Sequence, residues 1–350
     1  MKSSVTIMGS GAWGTAIAKC IAENGHDVVI WCRRKEQADE INTKHTNTKY
    51  LPGVILPDNI CAGTGIKESI DGKDFLILAI PSFFLIDAVK KIIDLPSIRA
   101  GTTIIGIITK GFLPSEDGAS TIIDTLQKIL PEVYYKSLVY ISGPSHAEEV
   151  CMGKITGLIS ACRKPSLAVR MKYLLKSRSL LVFSSLDVQG VQVSAAVKNI
   201  AAIGFGIMDA LKSKTEIFGD NTESLLLAAG LNEIQILGRS LGSTHFETFT
   251  SIAGVGDLDV TCRSVYGRNR RLGREIITKN ILSGFKDIAD LIARINEIPY
   301  TPEGVAAAFH VKTLQQKFNL RLPLCNLVYC VLNKEKEPII ALNDYLRSLS

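Results

Sequence analysis

The chain has no uninterrupted apolar run approaching the roughly 18–20 residues that a membrane-spanning helix needs. The nearest candidates are residues 75–80, stopped by Pro81, and the segment 193–211, broken by Lys198, Asn199 and Asp209. Membrane insertion is therefore not expected, and the chain reads as soluble. Nor does the start carry the apolar stretch of a signal peptide, since Met1-Lys2-Ser3-Ser4 passes directly into Val5-Thr6-Ile7-Met8-Gly9. The eight cysteines (Cys20, Cys32, Cys61, Cys151, Cys162, Cys262, Cys325 and Cys330) form no C-x-x-C pair and no Cys/His cluster with zinc spacing. They predict buried free thiols in a reduced, metal-free, cytoplasmic protein. The chain also lacks a large excess of either charge. Forty Lys and Arg against 34 Asp and Glu leave a net charge of +6, which suits an anionic small molecule better than a nucleic acid. Internal repeats, low-complexity tracts and Pro/Ser-rich linkers are missing too. The expectation is two domains sharing an extensive interface, with a ligand cleft between them.

What is present fits two domains. The 350 residues, 46% hydrophobic and 21% charged, can fill a sizeable core and exclude a disordered chain. Up to about residue 185, short Val/Ile/Leu-rich runs predict strands at 5–8, 28–31, 75–80, 103–107, 138–142, 156–161 and 180–184. They show little alternation, as strands covered on both faces do. Helical stretches near 12–24, 84–92, 118–129 and 165–175 lie between them. This rhythm implies an α/β fold, a Rossmann-like, doubly wound and mostly parallel sheet, over residues 1–187. From 188 to 350 the pattern turns helical, with segments near 189–210, 222–241, 270–279, 288–296, 304–316 and 324–332, and predicts an all-α domain.

Gly9-Ser10-Gly11-Ala12-Trp13-Gly14 fits G-x-G-x-x-G between an apolar strand and a helical run. In that context Gly9 serves a tight turn, Gly11 a close approach to a pyrophosphate, and Gly14 helix packing. The helix start adds free N–H donors for phosphate. Alone, such a pattern also marks ordinary turns. Where a strict NAD site places an acid at the end of the second strand, this chain has Cys32-Arg33-Arg34. Guanidinium groups suit a 2′-phosphate or stack on adenine, and the alternative is two solvated arginines after a strand.

Four further places carry candidate chemistry. Thr109-Lys110-Gly111 and Gly143-Pro144-Ser145-His146-Ala147 each follow a strand, at the edge where open sheets bind ligands. A lysine at a strand exit is commonly just surface, and His146, with no visible carboxylate partner, reads as structural. Lys198 lies among Val193-Ser194-Ala195-Ala196-Val197 and Asn199-Ile200-Ala201-Ala202-Ile203-Gly204. A lysine buried there must lose its proton or find an anion, which makes it a workable acid/base. The alternative is a lysine snorkelling from a helix edge. After the glycine-rich turn Ser251-Ile252-Ala253-Gly254-Val255-Gly256-Asp257, five arginines fall within the twelve residues 263–274. That cluster suits one phosphate monoester, though a nucleic-acid patch would read similarly.

Taken in order, Gly9-Ser-Gly-Ala-Trp-Gly14, Tyr50-Leu-Pro-Gly53, Thr109-Lys-Gly111, Gly143-Pro-Ser-His-Ala147, Val197-Lys-Asn199, Glu247-Thr-Phe249, Gly254-Val-Gly-Asp-Leu258 and Arg268-Asn-Arg-Arg271 closely resemble the NAD(P)-dependent sn-glycerol-3-phosphate dehydrogenases of the bacterial type. The resemblance runs from residue 5 to about 310. It implies reduction of dihydroxyacetone phosphate to glycerol phosphate for phospholipid synthesis, with NADP(H) or NAD(H) as cofactor. By resemblance Lys198 exchanges the substrate proton, Lys110 and Asn199 stabilise the reacting oxygen, and Asp257 orients the lysine. Lys110, Gly143, Ser145, Lys198, Asp257, Gly267, Arg268 and Asn269 would hold the triose phosphate. Trp13, Arg33, Arg34, Lys110, Ala147, Arg268 and Glu303 would contact the dinucleotide, with Gly9, Gly11, Ala12, Gly14, Tyr50 and Thr301 completing that set. A homodimer is expected, with no nucleic-acid partner.

Three positions depart from the pattern. Ala12 and Gly267 each stand where a serine is common, and Thr301-Pro302 precede Glu303 where small or apolar residues are usual. Two rival readings remain: a β-hydroxyacid or 6-phosphogluconate-type dehydrogenase, and a dinucleotide-binding sensor without turnover.

Overall fold

The computed structural model describes residues 2–116, 118–213 and 215–349. The chain divides into two units, Met1–Thr109 with Ile123–Val188, and Lys110–Ile122 with Gln189–Ser350. The segment around Lys110 thus groups with the helical unit, although its neighbours in sequence belong to the sheet.

Among the described residues twelve strands form, in chain order: β1 (Ser4–Met8), β2 (Asp27–Trp31), β3 (Thr46–Asn47), β4 (Leu51–Ile55), β5 (Ile60–Gly63), β6 (Phe75–Leu78), β7 (Ile104–Ile107), β8 (Phe112–Ser115), β9 (Gly118–Thr121), β10 (Val139–Ser142), β11 (Thr156–Ala161) and β12 (Leu180–Ser185). Eight of them make the sheet of the first unit, in the order β12-β11-β10-β7-β6-β1-β2-β5. Every pairing in it is parallel except β10 with β11. Strands β6, β7 and β10 are buried at every residue, which explains their unbroken apolar sequences. β1 lies between β2 and β6, so the chain leaves it in one direction and returns on the other side. This reversal creates a crevice beyond the carboxyl ends of β1 and β6, where doubly wound sheets bind ligands.

Two expectations are corrected. The helix expected at 118–129 begins as strand β9, paired antiparallel with β8, and only Ile122–Ile129 is helical. Gly-Ala-Ser-Thr has no apolar alternation to announce a strand, and its pairing with β8 decides the matter. The thiols are all free, but Cys61 is exposed and Cys151 only partly covered.

The second unit is helical around Val188–Lys212, whose apolar residues bury it on all sides. By length and composition that helix could cross a membrane. Its burial instead marks it as a core helix, which passes the same test. The β8–β9 hairpin packs on the helix Glu303–Lys317.

Candidate active site

In the first unit, the glycine loop follows β1 and leads into the helix Ala12–Glu23. The three glycines differ in what surrounds them. Gly9 has φ +127°, and a Cβ on it would lie 2.6 Å from the Ala79 carbonyl oxygen. A Cβ on Gly14 would lie 2.3 Å from the Gly9 oxygen. Both positions therefore exclude any side chain. A Cβ on Gly11 would meet nothing within 4 Å. That open space adjoins a helix N-terminus with no side-chain cap, so its first N–H groups are available to a pyrophosphate. The loop therefore fits a dinucleotide. Trp13 packs against the core of this unit.

A buried network that the sequence reading missed holds this loop. Gln37 Nε2 and Asn47 Nδ2 both donate to the Ser10 carbonyl oxygen, at 2.8 and 3.0 Å. Asn47 also donates to Thr15 Oγ1 at 2.8 Å, and Ser10 Oγ donates to Gln37 Oε1 at 2.9 Å. Gln37, Asn47 and Thr15 are all buried. Polar residues scattered over elements far apart in sequence give no pattern from which to infer such a network.

Arg33 and Arg34 are exposed beyond β2, ahead of the helix Lys35–Lys44. Arg34 Nη2 donates to the Tyr50 hydroxyl at 3.4 Å, so the structure joins two of the expected cofactor contacts. Gly143, Ser145 and Ala147 follow β10, with Ser145 Oγ donating to the Gly143 oxygen at 2.8 Å. Ala147 opens a five-residue helix.

The second unit gathers the charged residues. A π-helical turn, Ile252–Gly256, brings the chain into the helix Asp257–Arg263. The turn needs Gly254, because a Cβ there would lie 2.0 Å from the Phe249 oxygen. It delivers Asp257, which is 0% exposed, to Lys198, which is 5% exposed. Lys198 Nζ donates to Asp257 Oδ1, and Lys110 Nζ sits 3.1 Å from Oδ2. Two ammonium groups therefore share one buried carboxylate. Burial lowers the Lys198 pKa and the Lys110 charge adds to this, while Asp257 opposes both. Burial acts to raise the Asp257 carboxyl, but the two lysines outweigh it and hold it below the ordinary range.

Glu303 lies within electrostatic reach of Arg268, Lys110 and Lys198. Burial nevertheless raises its carboxyl, with those three cations opposing. Thr301 and Pro302 lead into the helix that Glu303 opens. Gly267 precedes the helix Arg268–Lys279, whose N-terminus has no side-chain cap.

The five arginines separate on inspection. Arg263 pairs with Asp259 at 2.7 Å, Arg270 with Asp209 at 2.5 Å and Arg271 with Glu275 at 3.0 Å. Arg268 and Arg274 are exposed, and neither side chain has a hydrogen bond or ion pair among the described residues; Arg268, at the start of its helix, is open to an anion there. Asn269 Nδ2 donates to Asn199 Oδ1 at 3.0 Å, and its Oδ1 accepts from Gly304 N at 2.9 Å. Gly206 and Gly273 were also missed. A Cβ on Gly273 would lie 2.1 Å from the Ile203 oxygen, and one on Gly206 would lie 2.0 Å from the Arg270 oxygen. These two glycines let the helices bearing Lys198 and Arg268 touch backbone to backbone.

Comparison with known proteins shows the family. Residues 4–168 match the N-terminal domain of NAD-dependent glycerol-3-phosphate dehydrogenase, and residues 187–343 match its C-terminal domain. The chain is 51% identical to the glycerol-3-phosphate dehydrogenase (NAD(P)+) of Treponema denticola, with 99% of each chain covered. It is 34% identical to that of Bacillus cereus, over 99% of this chain and 96% of the relative. The crystal structure of glycerol-3-phosphate dehydrogenase from Coxiella burnetii superposes with a TM-score of 0.85 at 28% identity, covering 99% of both chains. The chain belongs to the NAD-dependent glycerol-3-phosphate dehydrogenase family.

Proposed function

We propose that this protein catalyses the reversible reduction of dihydroxyacetone phosphate to sn-glycerol 3-phosphate with NADPH or NADH. The observation that carries the chemistry is the pair of lysines converging on one buried carboxylate. A bound dinucleotide supplies or accepts hydride at C4 of its nicotinamide. Lys198 gives a proton to the C2 oxygen of the triose phosphate during reduction and takes it back during oxidation. Lys110 and Asn199 donate to the same oxygen as negative charge develops on it. Asp257 holds both ammonium groups in place.

Arg268 and the free N–H groups that follow Gly267 bind the phosphate, with Asn269 beside them. That binding energy, remote from the reacting carbon, positions it. Gly143 and Ser145 complete the substrate contacts. Gly9, Gly11, Ala12, Trp13, Gly14, Arg33, Arg34, Tyr50 and Ala147, together with Lys110, Arg268, Thr301 and Glu303, receive the dinucleotide. The product serves glycerophospholipid synthesis, and the protein works in the cytoplasm as a homodimer, whose mass light scattering would measure.

The test is NADPH oxidation followed spectrophotometrically with dihydroxyacetone phosphate. Turnover is expected. Turnover only with a β-hydroxyacid, or NADPH binding without any turnover, would support the rival readings. Lys198→Ala should lower turnover about 100- to 10,000-fold, the usual range for removing a general acid/base. NADPH binding, read by fluorescence titration, should be nearly unchanged. Activity within a few-fold of the parent would remove Lys198 from the mechanism.

A further inference from the structure

Asn199 has a side chain whose two ends differ in chemistry: an oxygen that only accepts and a nitrogen that only donates. Which end faces the substrate decides whether the residue can stabilise negative charge on an oxygen. The surrounding contacts determine that choice without reference to a ligand. The backbone N–H of Gly304 can only donate, so the Asn269 atom 2.9 Å from it must be the carbonyl oxygen. The Asn269 nitrogen then faces Asn199, and the Asn199 atom 3.0 Å from it must be its own oxygen. The Asn199 nitrogen is left on the other side. There it makes one long hydrogen bond of 3.4 Å to the Ala195 oxygen of its own helix, and its second N–H remains to be used.

The relay is buried and tightly packed. Asn199 is 4% and Asn269 8% exposed, so water has little access to compete with it. At its head only glycine fits. A Cβ on residue 304 would lie 2.6 Å from the Asn199 backbone oxygen and 2.9 Å from Asn269 Oδ1. The backbone N–H that starts the relay belongs to the first turn of the helix Glu303–Lys317, where N–H groups have no partner within the helix.

We infer that Asn269 is a positioning residue that fixes the polarity of Asn199, so that Asn199 presents an N–H to the oxygen on which charge develops. This rests on the reaction proposed above. It differs from a role for Asn269 in holding the phosphate alone, because it acts through Asn199 and on the chemical step.

Asn269→Asp is the sharpest probe. The carboxylate can still accept from Gly304 but cannot donate to Asn199, so the relay breaks with little change in shape. The experiment is a double-mutant cycle on kcat for dihydroxyacetone phosphate, with the parent, Asn269→Asp, Asn199→Ala and the double variant. Asn269→Asp is expected to lower kcat about tenfold or more in the parent background, as loss of an oriented donor does. In the Asn199→Ala background the same change should cost almost nothing. An equal loss in both backgrounds, or a rise in KM with kcat preserved, would overturn the inference and leave Asn269 a phosphate contact. Should Asn269→Asp fail to fold, as judged by thermal melting, Asn269→Ala enters the same cycle with the same expectation. A parent protein inactive toward dihydroxyacetone phosphate would be recognised before any variant is made. It would sink the proposed reaction and this inference with it.

Discussion

Burial, a neighbouring ammonium and one carboxylate act together on the protonation of Lys198. Burial and the Lys110 charge push the Lys198 pKa below its ordinary 10.5, and Asp257 pulls it back up. In the proposed reduction the working form of Lys198 is the ammonium. The kcat/KM for dihydroxyacetone phosphate should therefore fall as pH rises through that lowered pKa, well before an ordinary lysine would titrate. Asp257→Asn removes the negative charge that favours the ammonium, so this alkaline limb should move further toward acid. Profiles of kcat/KM against pH for parent and variant measure it. An unmoved limb would assign the titration to another group. The variant also leaves buried cations without their partner, a loss of about 3–5 kcal/mol when the charge is retained. Thermal melting should accompany the profiles for that reason.

The strand–loop–helix element at the start of the chain separates glycines needed by the fold from the one left for a ligand. Gly9→Ala places a side chain in a left-handed conformation against the Ala79 oxygen, and should destabilise by roughly 1–3 kcal/mol. Gly11→Ala meets open space, so its melting temperature should stay near that of the parent while NADPH affinity falls. Melting curves and fluorescence titrations of the two variants give the comparison. Equal NADPH affinity in Gly11→Ala would remove the pyrophosphate from that space. Arg33 and Arg34 are exposed, with Arg34 beside Tyr50, and no acid stands at the strand end to repel a 2′-phosphate. NADPH should be used at least as efficiently as NADH, and replacing both arginines by alanine should erode that ratio of kcat/KM. A strong NADH preference in the parent, or a ratio indifferent to the double substitution, would mean that these arginines only face water.

Over the whole chain, two buried glutamates act on stability in opposite pH windows. Burial acts to raise Glu275, but hydrogen bonds from Tyr300, Lys279 and Arg271 outweigh it and hold the carboxyl at about 2. Its stabilisation is present above the ordinary value of 4.5 and is lost as pH falls toward 2. Glu233 is raised to about 7 by burial, against the pull of the Leu324 and Cys325 N–H groups that it caps at 2.5 and 2.9 Å. Its contribution has the reverse sign, being complete below 4.5 and lost as pH rises through about 7. Urea unfolding across pH should show Glu275→Gln less stable than the parent near neutrality and converging with it near pH 2. Glu233→Gln should flatten the decline between pH 4.5 and 7. Parallel curves for parent and variants would place the titrations elsewhere.

The sequence by itself determined the alternation of strand and helix in the first unit, the helical second half, the glycine loop, and the residue types of the site. Those features are local. A buried strand needs consecutive apolar residues and a phosphate turn needs small ones, so each leaves its mark within a few positions. Only the tertiary structure decided which charges meet. Lys110, Lys198 and Asp257 stand 88 and 59 positions apart along the chain, yet both lysines pair with the one carboxylate. The folded chain pairs three of the five arginines with carboxylates and leaves Arg268 and Arg274 open. The polar network of Gln37, Asn47 and Thr15 and the Asn269–Gly304 contact were invisible for the same reason. A hydrogen bond between distant residues requires only one donor and one acceptor, and two such residues far apart in the chain carry no periodicity to read.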